Sequence, residues 1–297
     1  MGALVPARIV VTLRTESGRP SQPPPHTGPA VAAAFLLAIK KIDPRTAAQL
    51  HDEPPPKRYT TTPLLGEDGA PARLASTETR FEVGVLTDSL FAPIYTALTA
   101  DEPWRIDRVA YQRAATDIRA VVTYPDLLSQ ARPESRWAFR RVTPTGFSTA
   151  KEQGVRRSRP LPDPERIFGS LLARWRALAD TPLPETLPST IAHHLEIVDC
   201  ELTVAKHLVK PGAPLARGCR GTVSVALAEP ERVPPGDRRA LDALAAFAAF
   251  AGLGDRTTVG MGHAVRLTQP PQAEHRRSGA TRRDVRQGLV AVPTPGR

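Results

Sequence analysis

The stretch Gly252-Leu253-Gly254-Asp255-Arg256-Thr257-Thr258-Val259-Gly260-Met261-Gly262 sets four glycines around one arginine. Glycine lets another group approach the main chain closely, and exposed N–H groups beside a guanidinium make a set of donors for a phosphate. A helix stop alone needs only one or two glycines. The spacing therefore favours binding of a phosphate backbone, with Gly252, Gly254, Arg256, Gly260 and Gly262 as its residues. A dinucleotide fingerprint is excluded, because it needs a strand before the glycines, a helix after them and G-x-G-x-x-G spacing. Here the helical pattern comes first and five residues separate the glycine pairs.

The remaining chemistry-bearing residues are sparse. Cys200 and Cys219 make neither a metal spacing nor a disulfide framework, so no metal or other cofactor is expected and a reducing, cytoplasmic setting fits. The longest apolar stretches, 30–39 and 243–252, are shorter than the ~20 residues a membrane span needs, and the N-terminus lacks a signal-peptide core. Net charge is +10 and the pI about 10.3, which favours a polyanionic partner. Of the 40 basic residues only Lys40, Lys41, Lys57, Lys151, Lys206 and Lys210 are lysine, and arginine suits forked contacts to phosphate. A basic cluster over 136–159 holds Arg136, Arg140, Arg141, Lys151, Arg156, Arg157 and Arg159 against Glu152 alone. It falls where a groove between two sheets would lie, so Arg140, Arg141, Arg156 and Arg157 join the expected RNA contacts.

Two series of elements must carry these residues. Residues 5–14, 58–64 and 80–87 read as strands, 28–42 as a helix and 88–100 as a short helix, with 103–123 extended. Asp43-Pro44 supplies an N-cap and a first-turn proline for a further short helix, Arg45 to His51, which Pro54-Pro55-Pro56 stops. The second series begins near Arg136: strand 137–143, helix 163–178, strands 194–206 and 216–228, helix 237–250 and strand 257–267. Each half reads β-α-β-β-α-β, the ferredoxin-like order. The fold class expected is α+β with two tandem ferredoxin-like domains, 1–130 and 136–267, followed by a tail. That tail, 268–297, carries six arginines against Glu274 and Asp284 with little periodicity, and is expected to be disordered.

A hydrophobic helix followed by G-x-G-x5-G-x-G resembles the C-terminal loop of the RAMP superfamily of CRISPR RNA-binding proteins. The N-terminal half is similar to one family within it, the CRISPR-associated endoribonucleases numbered six. His26-Thr27-Gly28 leads into Ala33-Ala34-Phe35-Leu36, then Asp43-Pro44, Leu50-His51-Asp52, Lys57 and Thr62-Pro63-Leu64; Thr143-Pro144-Thr145-Gly146-Phe147 fits as well. The matches span about 26 to 267.

The resemblance implies metal-independent cleavage of CRISPR repeat RNA by its own 2′-hydroxyl, leaving a 2′,3′-cyclic phosphate. CRISPR repeat RNA is the implied partner, with other CRISPR effector subunits as further candidates. By the same resemblance His51 is assigned proton transfer and Lys57 charge stabilisation. Leu36 stands where some members carry a tyrosine, fifteen residues before that histidine, so a second proton partner is needed. His26 is the candidate, with Tyr59 a weaker one; His193, His194, His207 and His263 are expected to be structural or RNA-facing. The absent tyrosine keeps a second reading open, a RAMP subunit that holds guide RNA without cutting it. A general RNA-binding protein outside CRISPR systems is a remoter third.

Overall fold

In the computed structural model residues 5–148, 158–210, 212–213 and 215–268 are described. Strand β1 (Ala7–Thr15) buries Ala7, Ile9, Val11 and Leu13 on one face by simple alternation. Helix α1 (Gly28–Ile42) has proline in its first turn and Lys40 and Lys41 in its last, where cations suit the helix dipole. Helix α2 (Pro44–Asp52) starts as expected: the Asp43 carboxylate accepts from the Arg45 and Thr46 N–H groups, both at 3.0 Å. Then come β2 (Tyr59–Thr61), β3 (Glu78–Val85), α3 (Asp88–Thr99), β4 (Trp104–Ile106), β5 (Val109–Val121) and α4 (Tyr124–Ser129).

The second series is β6 (Arg136–Thr145), the short pair β7 (Phe147–Ser148) and β8 (Ser158–Arg159), and α5 (Pro164–Leu178). It continues with α6 (Leu187–His194), β9 (Leu195–His207), β10 (Ala216–Leu227), α7 (Pro235–Ala251) and β11 (Ala264–Leu267).

The first sheet runs β2-β3-β1-β5-β4 and the second β11-β6-β10-β9, every neighbour antiparallel. With β4 set aside as a hairpin extension of β5, each sheet has its first and third strands in the middle and its second and fourth at the edges. That order, reached twice, is the arrangement of two ferredoxin-like domains, and the fold class is α+β as expected. One face of each sheet is packed by helices. In the second, Trp137 and Phe139 of β6 meet Phe168 of α5 edge-on. Tyr124 of α4, Trp175 of α5 and Phe247 of α7 form a mutual aromatic cluster. Buried Asp242 of α7 accepts from the Trp137 indole N–H at 3.1 Å and the Arg132 N–H at 3.0 Å, and pairs with Arg266.

Several expectations are corrected. The extended run 103–123 is two strands, turned at Asp107, which adopts φ 55°. His193 and His194 do not begin a strand; they close α6, and β9 starts at Leu195. The last strand covers only 264–267 of the expected 257–267. The rest is a 3-10 turn, Thr257–Val259, with Gly260 and Gly262 at φ 86° and 73°. The tail beyond residue 268, and Lys151, Arg156 and Arg157 of the basic cluster, lie outside the described residues. Among the described residues no helix is long and apolar enough to cross a membrane.

Candidate nucleic-acid interface

The glycine loop is seated inside the protein, and its four glycines are buried. Gly252, Gly254, Gly260 and Gly262 all have φ between 69° and 86°, the left-handed region that favours glycine. A Cβ on Gly254 would overlap the Gly146 carbonyl, and one on Gly260 would lie 2.9 Å from the Gly28 Cα. The glycines thus serve close packing within the chain. Of the five loop residues expected to bind phosphate, Arg256 is the exposed one, flanked by half-exposed Asp255, Thr258 and Val259. Gly254→Ala is expected to destabilise the protein by about 1–3 kcal/mol, read as a lower midpoint in urea denaturation.

Both domains hold this loop. From α5, Arg174 donates to the Ala251 carbonyl at the end of α7 and, at 2.7 Å, to that of Gly254. Burial pushes its pKa down to about 10, so it stays charged at neutral pH and caps the negative end of α7. The Asp255 N–H donates to Gly146 at 3.0 Å and the Gly262 N–H to Pro144 at 3.1 Å, which explains the Thr143–Phe147 motif. From the first domain, Thr60 Oγ1 donates to the Phe250 carbonyl at 3.0 Å and Thr61 Oγ1 to Thr258 at 2.8 Å. Gly28, at the start of α1, abuts Val259 with no room for a side chain.

His26 lies at this seam. Its ring meets that of His207 edge-on, with centroids 5.8 Å apart, and His207 Nε2 is 2.8 Å from the Val259 carbonyl oxygen. Partial burial, then nearby Arg73, lower the His26 pKa. His51 lies in α2, and Lys57 between α2 and β2. His51 is exposed near the end of α2, and Lys57 Nζ donates to the carbonyls of Leu50 and His51 at 2.8 and 2.9 Å. Desolvation lowers the Lys57 pKa despite nearby Glu53 and Asp52. Among the described residues no hydrogen bond or ring contact joins His26 to His51. The chain between Lys57 and Leu64 does run along α1 toward His26: Tyr59 packs on Phe35, and the Leu64 N–H donates to Thr27 Oγ1 at 2.9 Å. Tyr59 is buried with its hydroxyl pushed up to about 12, which removes it from proton transfer near neutrality. Leu36 packs against the core.

His263 is buried, and its N–H donates to Thr143 Oγ1 at 2.8 Å. Burial, then Arg8, Arg140 and Arg80, hold its imidazole down to about 3 from an ordinary 6.5. The unfolded chain takes up this proton below about 6.5 and the folded one does not until about 3. The contribution to stability is therefore complete above 6.5 and falls away with decreasing pH, by roughly tenfold in the folding constant per pH unit. Urea denaturation at pH 7 and pH 5 should show this loss, and His263→Gln should reduce it.

The basic cluster divides by strand alternation. Arg140 is exposed on the open face of the second sheet, whereas Arg141 is buried on the helix side near Cys219. Arg140, Arg141, Arg220, Glu201 and Thr222 line a cavity of about 510 Å³, closed on the first-domain side by Asp68–Ala70. Arg220 also borders a smaller cavity of about 60 Å³ with His26, His207, Arg73 and Lys206, and no carboxylate lines it. Two imidazoles and three cations around a small space suit a phosphate. His207, Arg73, Lys206 and Arg220 were not singled out by the sequence as ligand-facing partners of His26, because their contacts join distant segments. Arg174 had a visible signal: it sits three residues after Leu171 and seven after Ile167, on the buried stripe of α5. Among the described residues no group of three or more His, Cys, Asp or Glu side chains could hold a metal ion.

Residues 139–264 match the profile of a family described as CRISPR-associated endoribonuclease Cas6. A structure of Thermus thermophilus Cas6 aligns with TM-score 0.67 and 27% identity over 90% of this chain and 100% of that one. The same Cas6 in a product complex aligns with TM-score 0.74 and 28% identity over 89% of this chain and 100% of that one. A structure described as a RAMP protein binding different RNA substrates, 15% identical, shares the fold with TM-score 0.59 over 88% of this chain and 99% of that one. No curated protein matches. The resemblance read from the sequence, to the CRISPR-associated endoribonucleases numbered six, is borne out by these matches.

Proposed function

We propose, from the premise that this is a Cas6-type RAMP protein, that it is an endoribonuclease cutting CRISPR precursor RNA within its repeats, without metal, to give guide RNAs. The 2′-hydroxyl attacks the adjacent phosphate, so the products end in a 2′,3′-cyclic phosphate and a 5′-hydroxyl. The observation that carries the reading is the carboxylate-free cavity, where His26, His207 and three cations meet beside the glycine loop. Transesterification needs a base for the 2′-oxygen, an acid for the departing 5′-oxygen and positive charge on the phosphorane. His26 and His51 are assigned the proton transfers, and Lys57 the charge, through the N–H bond its ammonium has not committed to the α2 carbonyls. Arg256, Arg140 and Arg141, with Arg156 and Arg157, hold the RNA backbone, while the four glycines shape the loop that presents Arg256.

End-labelled repeat RNA incubated with the protein in EDTA tests the reading directly. Cleavage with cyclic phosphate ends is expected; no cleavage, or cleavage that EDTA abolishes, overturns it. One observation favours a second reading, a non-cutting RAMP subunit that holds guide RNA: Leu36, partly buried against the core, stands where some members of the family carry a proton-transferring tyrosine. The same assay decides between them, since that subunit would bind the RNA and leave it intact.

A further inference from the structure

We propose that His207 is a positioning residue for RNA cleavage, the strut that fixes the His26 ring against the glycine loop. The proposal rests on the reading of His26 as a proton carrier given above. His207 is the last residue of β9 and is only 4% exposed. Its Nε2 is 2.8 Å from the Val259 carbonyl oxygen. A carbonyl can only accept, so Nε2 carries the hydrogen and the tautomer is set. The same ring stands edge-on to His26 at 72°. A side chain on Gly28, two residues after His26, would strike Val259 and lie 3.0 Å from His207 Nε2. Three segments distant in sequence, the lead-in to α1, the end of β9 and the glycine loop, thus converge on one imidazole.

That convergence has a mechanistic content beyond filling space. The loop presents Arg256 to the RNA backbone, while His26 must meet the reacting oxygens. Their separation is set through His207, bonded to the loop at Val259 and packed edge-on against His26. An apolar ring of similar size would fill the space but leave the Val259 carbonyl without its donor. Displacement of a reacting group by about 1 Å can cost ~10²-fold in rate. Burial also lowers the His207 pKa, offset in part by the Val259 bond, so that it stands as a neutral donor beside His26 at neutral pH.

Single-turnover cleavage and RNA affinity of the full chain test this in H207Q and H207F, with H26A in parallel. Phenylalanine keeps a ring without the N–H; glutamine keeps an N–H that reaches Val259. H207F is expected to cut about 10- to 100-fold more slowly while its Kd for RNA changes far less, and H207Q to recover most of the rate. If both variants cut at the wild-type rate, or both fall alike, or affinity falls with rate by the same factor, the proposal is overturned. If H26A cuts normally, the reading of His26 itself fails, whatever His207 does. If H26A is inactive while H207F is normal, only the role of His207 fails.

Discussion

Repeat RNA carrying a single 2′-deoxynucleotide immediately upstream of the scissile phosphate is expected to bind normally and remain uncut. The attacking oxygen in the proposed reaction belongs to the substrate and is held next to its phosphorus by the ribose itself. An intramolecular nucleophile in that position corresponds to an effective concentration of ~10⁵–10⁸ M, so its removal should take cleavage below detection. Nothing in the protein replaces it, because the proposed residues move protons and carry charge. Affinity should survive, since the backbone contacts expected of Arg256 and Arg140 are made to phosphate oxygens that the substitution leaves in place. Gel-based cleavage and filter binding on the same oligonucleotide read both quantities. Persistent cutting would show that the nucleophile comes from elsewhere and would overturn the mechanism.

The second large effect is expected at the histidines. His51→Ala and His26→Ala should each slow single-turnover cleavage by about 10²-fold or more, with RNA affinity little changed. The two positions are chemically distinct. His51 is exposed near the end of α2, where an incoming oxygen can reach it, whereas His26 is half-buried with Arg73 nearby. If they act as one acid–base pair, the double variant should lose little more than the worse single one, because groups working as a unit are not additive. An unchanged rate in His51→Ala would shift proton transfer to His26 and its cavity. Lys57→Ala would be harder to read, since this ammonium also ties the last carbonyls of α2.

The fold was legible because local signals agreed with the global pattern. Asp43-Pro44 announced a helix start, and Asp43 accepts the capping hydrogen bonds expected of it, as Asp163 does ahead of α5. Alternation over β1, β6 and β10 gave the sheets. What failed was short or bent: α4 is one and a half turns, and α6 interrupts what reads as a lead-in to β9. In the last strand the apolar pattern of 257–267 hid a left-handed glycine turn. At the site, the glycines were conspicuous, but their packing against Gly146, Gly28 and each other depends on residues far away in sequence. Arg140 and Arg141 looked equivalent, although adjacent residues of a strand face opposite sides. His207 read only as structural or RNA-facing, because its partners Val259 and His26 lie 52 and 181 residues away.

The seating of the glycine loop also bears on when the protein becomes competent. The proposed proton carriers lie within residues 26–57, yet the surface beside them is completed by Phe250, Thr258 and Val259, which receive hydrogen bonds from Thr60, Thr61 and His207. On a ribosome these two halves emerge about 200 residues apart, a delay of roughly 10–40 s at about 5–20 residues per second. During that interval the first domain can fold around its own core, but the cavity beside His26 has no second wall. On the proposed reading a nascent chain should be silent until nearly all of the described residues have been made, and a prematurely terminated product should not cleave RNA on its own.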